Sequence, residues 1–92
     1  MNLDTREPTL FLSGDITVKS IDSAAYRQFE QACTPAAIQT LDLEGVGAAD
    51  SACISLLLAG LRIKNGHLTL TNLPASVSAL AELYEINEWM SP

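Results

Sequence analysis

Apolar residues recur along the chain in two rhythms, and the changes between them predict the elements. Pro8-Thr-Leu-Phe-Leu-Ser13 is short, apolar and β-prone, Gly14-Asp15 is a turn signal, and Ile16-Thr-Val-Lys19 alternates apolar with polar positions. The pattern predicts a hairpin at the start of a sheet. From Ile21 the spacing lengthens: Ile21, Ala24, Ala25, Gln28-Phe29 and Ala32 share one helical face, with Ser20 as the expected cap and Thr34-Pro35 as the stop. The outward face of that helix carries Asp22, Arg27, Glu30 and Gln31.

Ile38 to Leu43 then reads as a strand, Glu44 to Ala49 as a turn, and Asp50 to about Lys64 as a helix ended by a left-handed stop at Asn65-Gly66. His67 to Thr71 alternates as a strand. Pro74 opens a last helix carrying Val77, Leu80, Ala81, Leu83 and Tyr84, and the tail Ile86 to Met90 is apolar enough to pack back on the domain. The order β-β-α-β-α-β-α predicts an α/β fold, a mixed sheet of about four strands with helices packed against it. Strand Ile38–Leu43, its helix and strand His67–Thr71 are expected to make one right-handed βαβ crossover. No repeat, low-complexity segment or internal linker interrupts residues 1–92, so one domain is expected.

Composition narrows the function. Hydrophobic residues make up 48% of the chain and charged residues 17%, enough to fill one core and to leave apolar surface for a partner. The net charge is -6, and the cations Arg6, Lys19, Arg27, Arg62 and Lys64 are scattered, so a nucleic-acid partner is not expected. The first eight residues hold two acids and a proline where a signal peptide needs a basic and then an apolar stretch, so export is not expected. The run Ala52 to Leu61 is about half the ~20 residues that cross a bilayer, so direct membrane insertion is not expected either. Cys33 and Cys53 fall on helices among apolar neighbours at no metal-ligand spacing, and read as free buried thiols in a reducing cytoplasm.

Three chemistries are weighed and set aside. Gly45-Val-Gly47-Ala-Ala-Asp50 imitates a dinucleotide fingerprint, but Asp50 brings negative charge where a pyrophosphate belongs, and no cofactor is expected. A serine hydrolase needs a histidine near its serine; the sole histidine, His67, lies beyond the far end of the helix from Ser51, roughly 20 Å away at 1.5 Å per residue. One histidine and no cluster of ligands leave a metal site unsupported. The unusual feature is the helix Asp50-Ser-Ala-Cys-Ile-Ser-Leu-Leu-Leu-Ala-Gly-Leu61, which carries no charge from Ala52 to Leu61. One face is expected to pack on the sheet, and the other to be covered by neighbouring helices or by a partner.

The hairpin, the first helix, the strand Thr40-Leu-Asp-Leu-Glu44, the helix start at Asp50-Ser51 and the strand Leu68-Thr-Leu70 resemble a STAS domain, the sulfate-transporter and anti-sigma-factor-antagonist family, over nearly the whole chain. Within it, Leu41 to Leu58 and Val77-Ser-Ala-Leu-Ala-Glu-Leu-Tyr84 are most similar to the MlaB type. The family pattern at the helix start is Asp, Ser or Thr, then Ser, Thr or Gly, then Gly; here it reads Asp50, Ser51, Ala52, Cys53. The hydroxyl phosphorylated in anti-sigma factor antagonists falls on Ala52, which has none, whereas the hydroxyl of the MlaB-type contact falls on Ser51, which keeps it.

The resemblance implies a non-catalytic cytoplasmic subunit, peripheral to the inner membrane through its partner. That partner would be the MlaF-like ATPase of a phospholipid-transporting ABC complex and, through it, the membrane permease. Partner-binding residues are expected at Asp50, Ser51, Ala52, Ile54 and Ser55 on an exposed flank of the helix, with Ser51 a possible phosphorylation site. The alternative is an anti-sigma factor antagonist whose partner is a serine kinase.

Overall fold

Alternation along the first strands is what builds the sheet. A computed structural model of the chain describes the backbone of residues 1–83 and the side chains of residues 1–79. β1 (Asn2–Arg6) pairs antiparallel with β2 (Thr9–Ile16), and the turn between them contains a cis Glu7-Pro8 peptide. The hairpin expected at Gly14-Asp15 is therefore displaced toward the N-terminus. Gly14 and Asp15 lie inside β2, and Thr17 to Lys19, expected as part of a second strand, form with Ser20 a tight turn closed by Ser20 N–H on the Thr17 carbonyl. The acids and the proline near the N-terminus do not prevent β structure, because β1 is an edge strand with mostly exposed side chains.

After the turn, α1 (Ser23–Cys33) is capped by Asp22, whose carboxylate accepts from Ala25 N–H at 2.8 Å. Ser20, the expected cap, instead turns back to receive Thr17 N–H and to donate to the Asp15 carbonyl. Phe29 and Cys33 are the buried residues of α1.

β3 (Thr40–Ala49) runs parallel to β2, and β4 (Thr69–Thr71) runs parallel to β3. The sheet order is β1-β2-β3-β4. Two parallel neighbours need two crossovers, made by α1 between β2 and β3 and by α2 (Ser51–Ile63) between β3 and β4; the sequence pattern predicted only the second. The expected turn Glu44–Ala49 is also corrected, since these residues continue β3. Pairing with β2 shifts register twice, between Phe11 and Ser13 and between Gly14 and Ile16, and each shift places one extra residue on β3. Core-facing residues of β3 are thus Leu41, Leu43, Val46 and Ala49, at intervals of two, three and three, which hides the strand from any search for simple alternation.

The core lies on one face of the sheet. Leu10, Leu12, Leu41, Leu43 and Leu70 point inward and are buried, while Phe11, Ser13, Asp42 and Thr71 alternate with them toward the other face and are only half-buried. Phe29, Cys33, Ile38, Leu56, Leu57 and Val77 are among the residues that join them in the core cluster. α2 contacts α1 on one side and α3 (Ala75–Leu83) on the other, so it is the central helix of the layer. Pro74 precedes α3 as expected, and its carbonyl receives Val77 and Ser78 N–H. Leu80, Ala81 and Leu83 lie in α3 with side chains outside the described set, and Tyr84 and the tail Ile86–Met90 lie outside the described residues.

Candidate functional site

The central helix begins where β3 delivers the chain to the edge of the core. Asp50 has extended backbone and caps α2, its Oδ1 accepting from Ala52 N–H at 2.8 Å. Its Oδ2 accepts from Val18 N–H at 3.1 Å, and its own N–H donates to the Ile16 carbonyl at 3.3 Å. One carboxylate thus joins the start of α2 to the turn that leaves β2. At its other end α2 stops at Lys64, followed by Asn65 and Gly66 with φ of 52° and 80°, and Gly66 N–H returns to the Leu61 carbonyl at 2.8 Å. This is the left-handed stop that Asn65-Gly66 predicts.

Burial on α2 decides which residues a partner can reach. Cys53, Ile54, Leu56, Leu57, Ala59, Gly60 and Leu61 are buried, an arc of roughly 220° at 100° per residue. The remaining ridge carries Ser51, Ser55 and Arg62, all exposed, with Leu58 half-buried between them and Ala52 half-buried beside Ser51. Asp50 is half-buried as well. Ile54 does not lie on the exposed flank as expected: it is 4% exposed and belongs to the core cluster, because α2 is covered by the sheet and by two flanking helices. Most of the uncharged run is accounted for by that central position. What stays open is the N-terminal ridge of Ser51, Ala52, Ser55 and Leu58.

The structure adds a neighbour that the sequence pattern does not reveal. Val18 is a large hydrophobic residue left 66% exposed, at the tip of the Thr17–Ser20 turn and bonded through its backbone to Asp50. The apolar and polar alternation of Ile16 to Lys19 suggested a strand residue; the turn displays it instead. Ser20 Oγ, Asp15 Oδ1 on Ala48 N–H, and Asp50 Oδ2 hold that turn from three directions.

Elsewhere the geometry brings together little chemistry. His67 is exposed beyond the C-terminal end of α2, in a hollow with Ala36, Gln39 and Lys64, at the opposite end of the helix from Ser51. Cys33 and Cys53 are free and buried, and burial pushes both thiols up to about 11; Lys64 partly offsets the rise at Cys33, and Asp50 adds to it at Cys53. Among the described residues, no group of three or more His, Cys, Asp or Glu side chains is placed to hold a metal ion. No described helix is long and apolar enough to cross a membrane.

Comparison with known proteins agrees with this architecture. The fold is similar to that of the anti-sigma factor antagonist SpoIIAA in its unphosphorylated form, with a TM-score of 0.60 at 20% sequence identity, covering 98% of this chain and 84% of that one. No curated protein is similar enough in sequence to match. The family described as MlaB, STAS domain, matches residues 1–92, the full length of the sequence, and the chain therefore belongs to the MlaB-type STAS-domain family.

Proposed function

We propose that the chain is a non-catalytic accessory subunit that binds the ATPase of a phospholipid-transporting ABC complex and supports its assembly or activity. Family membership and the STAS fold support a protein-interaction domain. The observation that carries the finer reading is the open, uncharged start of α2, where Ser51 and Ser55 stand exposed one turn apart while the broad opposite face of the helix is buried. The partner in this reading is an MlaF-like ATPase, as the resemblance to the MlaB type implies. In this reading the chain sits on the cytoplasmic side of the inner membrane, joined to the permease through the ATPase, in a system that maintains outer-membrane lipid asymmetry. Tighter binding to the active arrangement of the ATPase than to the inactive one is all that such a subunit needs to activate it.

Co-purification of the chain with an MlaF-like ATP-binding-cassette ATPase of the same cell tests the proposal. A stable complex is expected, and a chain that ignores that ATPase overturns it. Similarity of fold to SpoIIAA motivates a second reading, an anti-sigma factor antagonist. Phosphate on Ser51 or Ser55 would be favoured by the helix N-terminus and would change the docking ridge. Intact-mass measurement after incubation with ATP and the candidate serine kinase separates the readings, since one added phosphate is expected only for the second.

A further inference from the structure

We infer that Asp50 is a positioning residue for docking and that Val18, held by it, is the apolar contact beside Ser51. The inference rests on the proposed ATPase-binding reading and specifies how the surface is built. Asp50 spends both carboxylate oxygens internally, one on Ala52 N–H and one on Val18 N–H. Its side chain is thus committed to the fold, and its part in docking is to set the distance between two surface pieces. One piece is the α2 ridge with Ser51 and Ser55; the other is the turn Thr17–Ser20.

The turn is built to present a side chain. Ser20 N–H closes it on the Thr17 carbonyl at 3.0 Å, Ser20 Oγ receives Thr17 N–H at 2.9 Å and donates to the Asp15 carbonyl at 2.9 Å, and Asp50 anchors the backbone at Val18 itself. Fixing a backbone this firmly behind a 66% exposed β-branched side chain removes the entropy that a partner would otherwise have to overcome on contact. Val18 and the Ser51 ridge, joined through one carboxylate, fit an ATPase surface with a shallow apolar recess beside a group that bonds the Ser51 hydroxyl.

Asp50→Asn separates the two jobs of the carboxylate. Asparagine caps helices as well as aspartate does, so its oxygen can keep the Ala52 bond, but its amide group then faces Val18 N–H with a donor where an acceptor is needed. The full chain carrying D50N is expected to melt within a few degrees of the wild type, to show faster hydrogen exchange at the Val18 amide, and to bind the ATPase about tenfold more weakly or worse. V18D, which leaves the backbone bond in place, is expected to weaken binding as strongly, and V18I to bind as the wild type does.

A V18D chain that binds normally overturns the inference even if D50N fails to fold. So does a D50N chain that keeps Val18 protected, or one that releases Val18 yet binds normally. In those outcomes the wild-type complex forms and the proposed function stands. Failure of the wild type to bind is the separate result that removes the proposed function, and this inference with it.

Discussion

At the residue scale, two neighbours in sequence divide the work of the site. Asp50 looks inward and Ser51 outward, and the difference is set by the helix start itself: the cap residue faces the first turn's free N–H groups, and the next residue begins the exposed ridge. Replacing Ser51 with arginine is therefore expected to leave the unfolding free energy within about 0.5 kcal/mol of the wild type, while the complex with the ATPase is lost. Equilibrium urea unfolding and co-purification check the two halves. Asp50→Ala behaves differently, because it removes the cap as well as the turn anchor. A loss of about 1–2 kcal/mol is expected in the same urea experiment, and D50N recovers most of it. The role of Asp50 as a cap was legible from its position before an apolar run. Its bond to Val18 was not, because the two residues lie 32 positions apart and only the meeting of β2 with β3 makes them neighbours.

At the scale of elements, β3 holds the main lesson. Its two extra residues bend it against β2 and bring Gly45 so close to Ser13 that a Cβ on Gly45 would lie 2.8 Å from the Ser13 Cβ. Gly45 reads from sequence as a turn glycine, yet it sits in a strand where backbones approach closely. Gly45→Ala is expected to cost about 1–3 kcal/mol by overpacking, measured as a lower urea midpoint at unchanged slope. The helices were more legible. α2 runs between a carboxylate cap and an Asn-Gly stop, both local signals, whereas α1 starts two residues later than expected because Ser20 and Asp22 are both good caps and local hydrogen bonds to Thr17 and Asp15 claim Ser20 for the turn.

At the scale of the whole molecule, one core serves every element, so its chemistry should appear as a property of the fold. The two buried thiols ionise more readily in the unfolded chain than in the folded one, near pH 9 against about 11. The folded state therefore holds the protons more tightly, and stability present below about pH 9 is expected to fall as pH rises through about 11. A pH series of urea unfolding curves, compared with a chain in which both cysteines are alanine, isolates the effect as the part of the decline absent from the variant. At neutral pH both thiols are expected to resist an aromatic disulfide reagent until denaturant is added. Phe29 is fully buried where α1 meets the core, and Phe29→Ala is expected to cost about 3–5 kcal/mol, a large share of the roughly 5–15 kcal/mol available to a domain of this kind. Calorimetric melting would show a large drop in Tm or no cooperative transition.

The amino-acid sequence by itself determined the α/β class, the limits of the central helix, and the serine at its start. These depend on short-range physics: a carboxylate beside free N–H groups, apolar residues on a helical repeat, and an Asn-Gly pair that tolerates left-handed backbone. Tertiary structure alone decided that the N-terminal residues form an edge strand, that β3 continues through its glycines, that Ile54 is buried while Ser55 is not, and that Val18 is joined to Asp50 at the start of α2. Each of those outcomes depends on which distant segment supplies hydrogen bonds or excludes water at a given residue. A local pattern reports what a side chain prefers, and the packed sheet and flanking helices settle which of its faces is left for a partner.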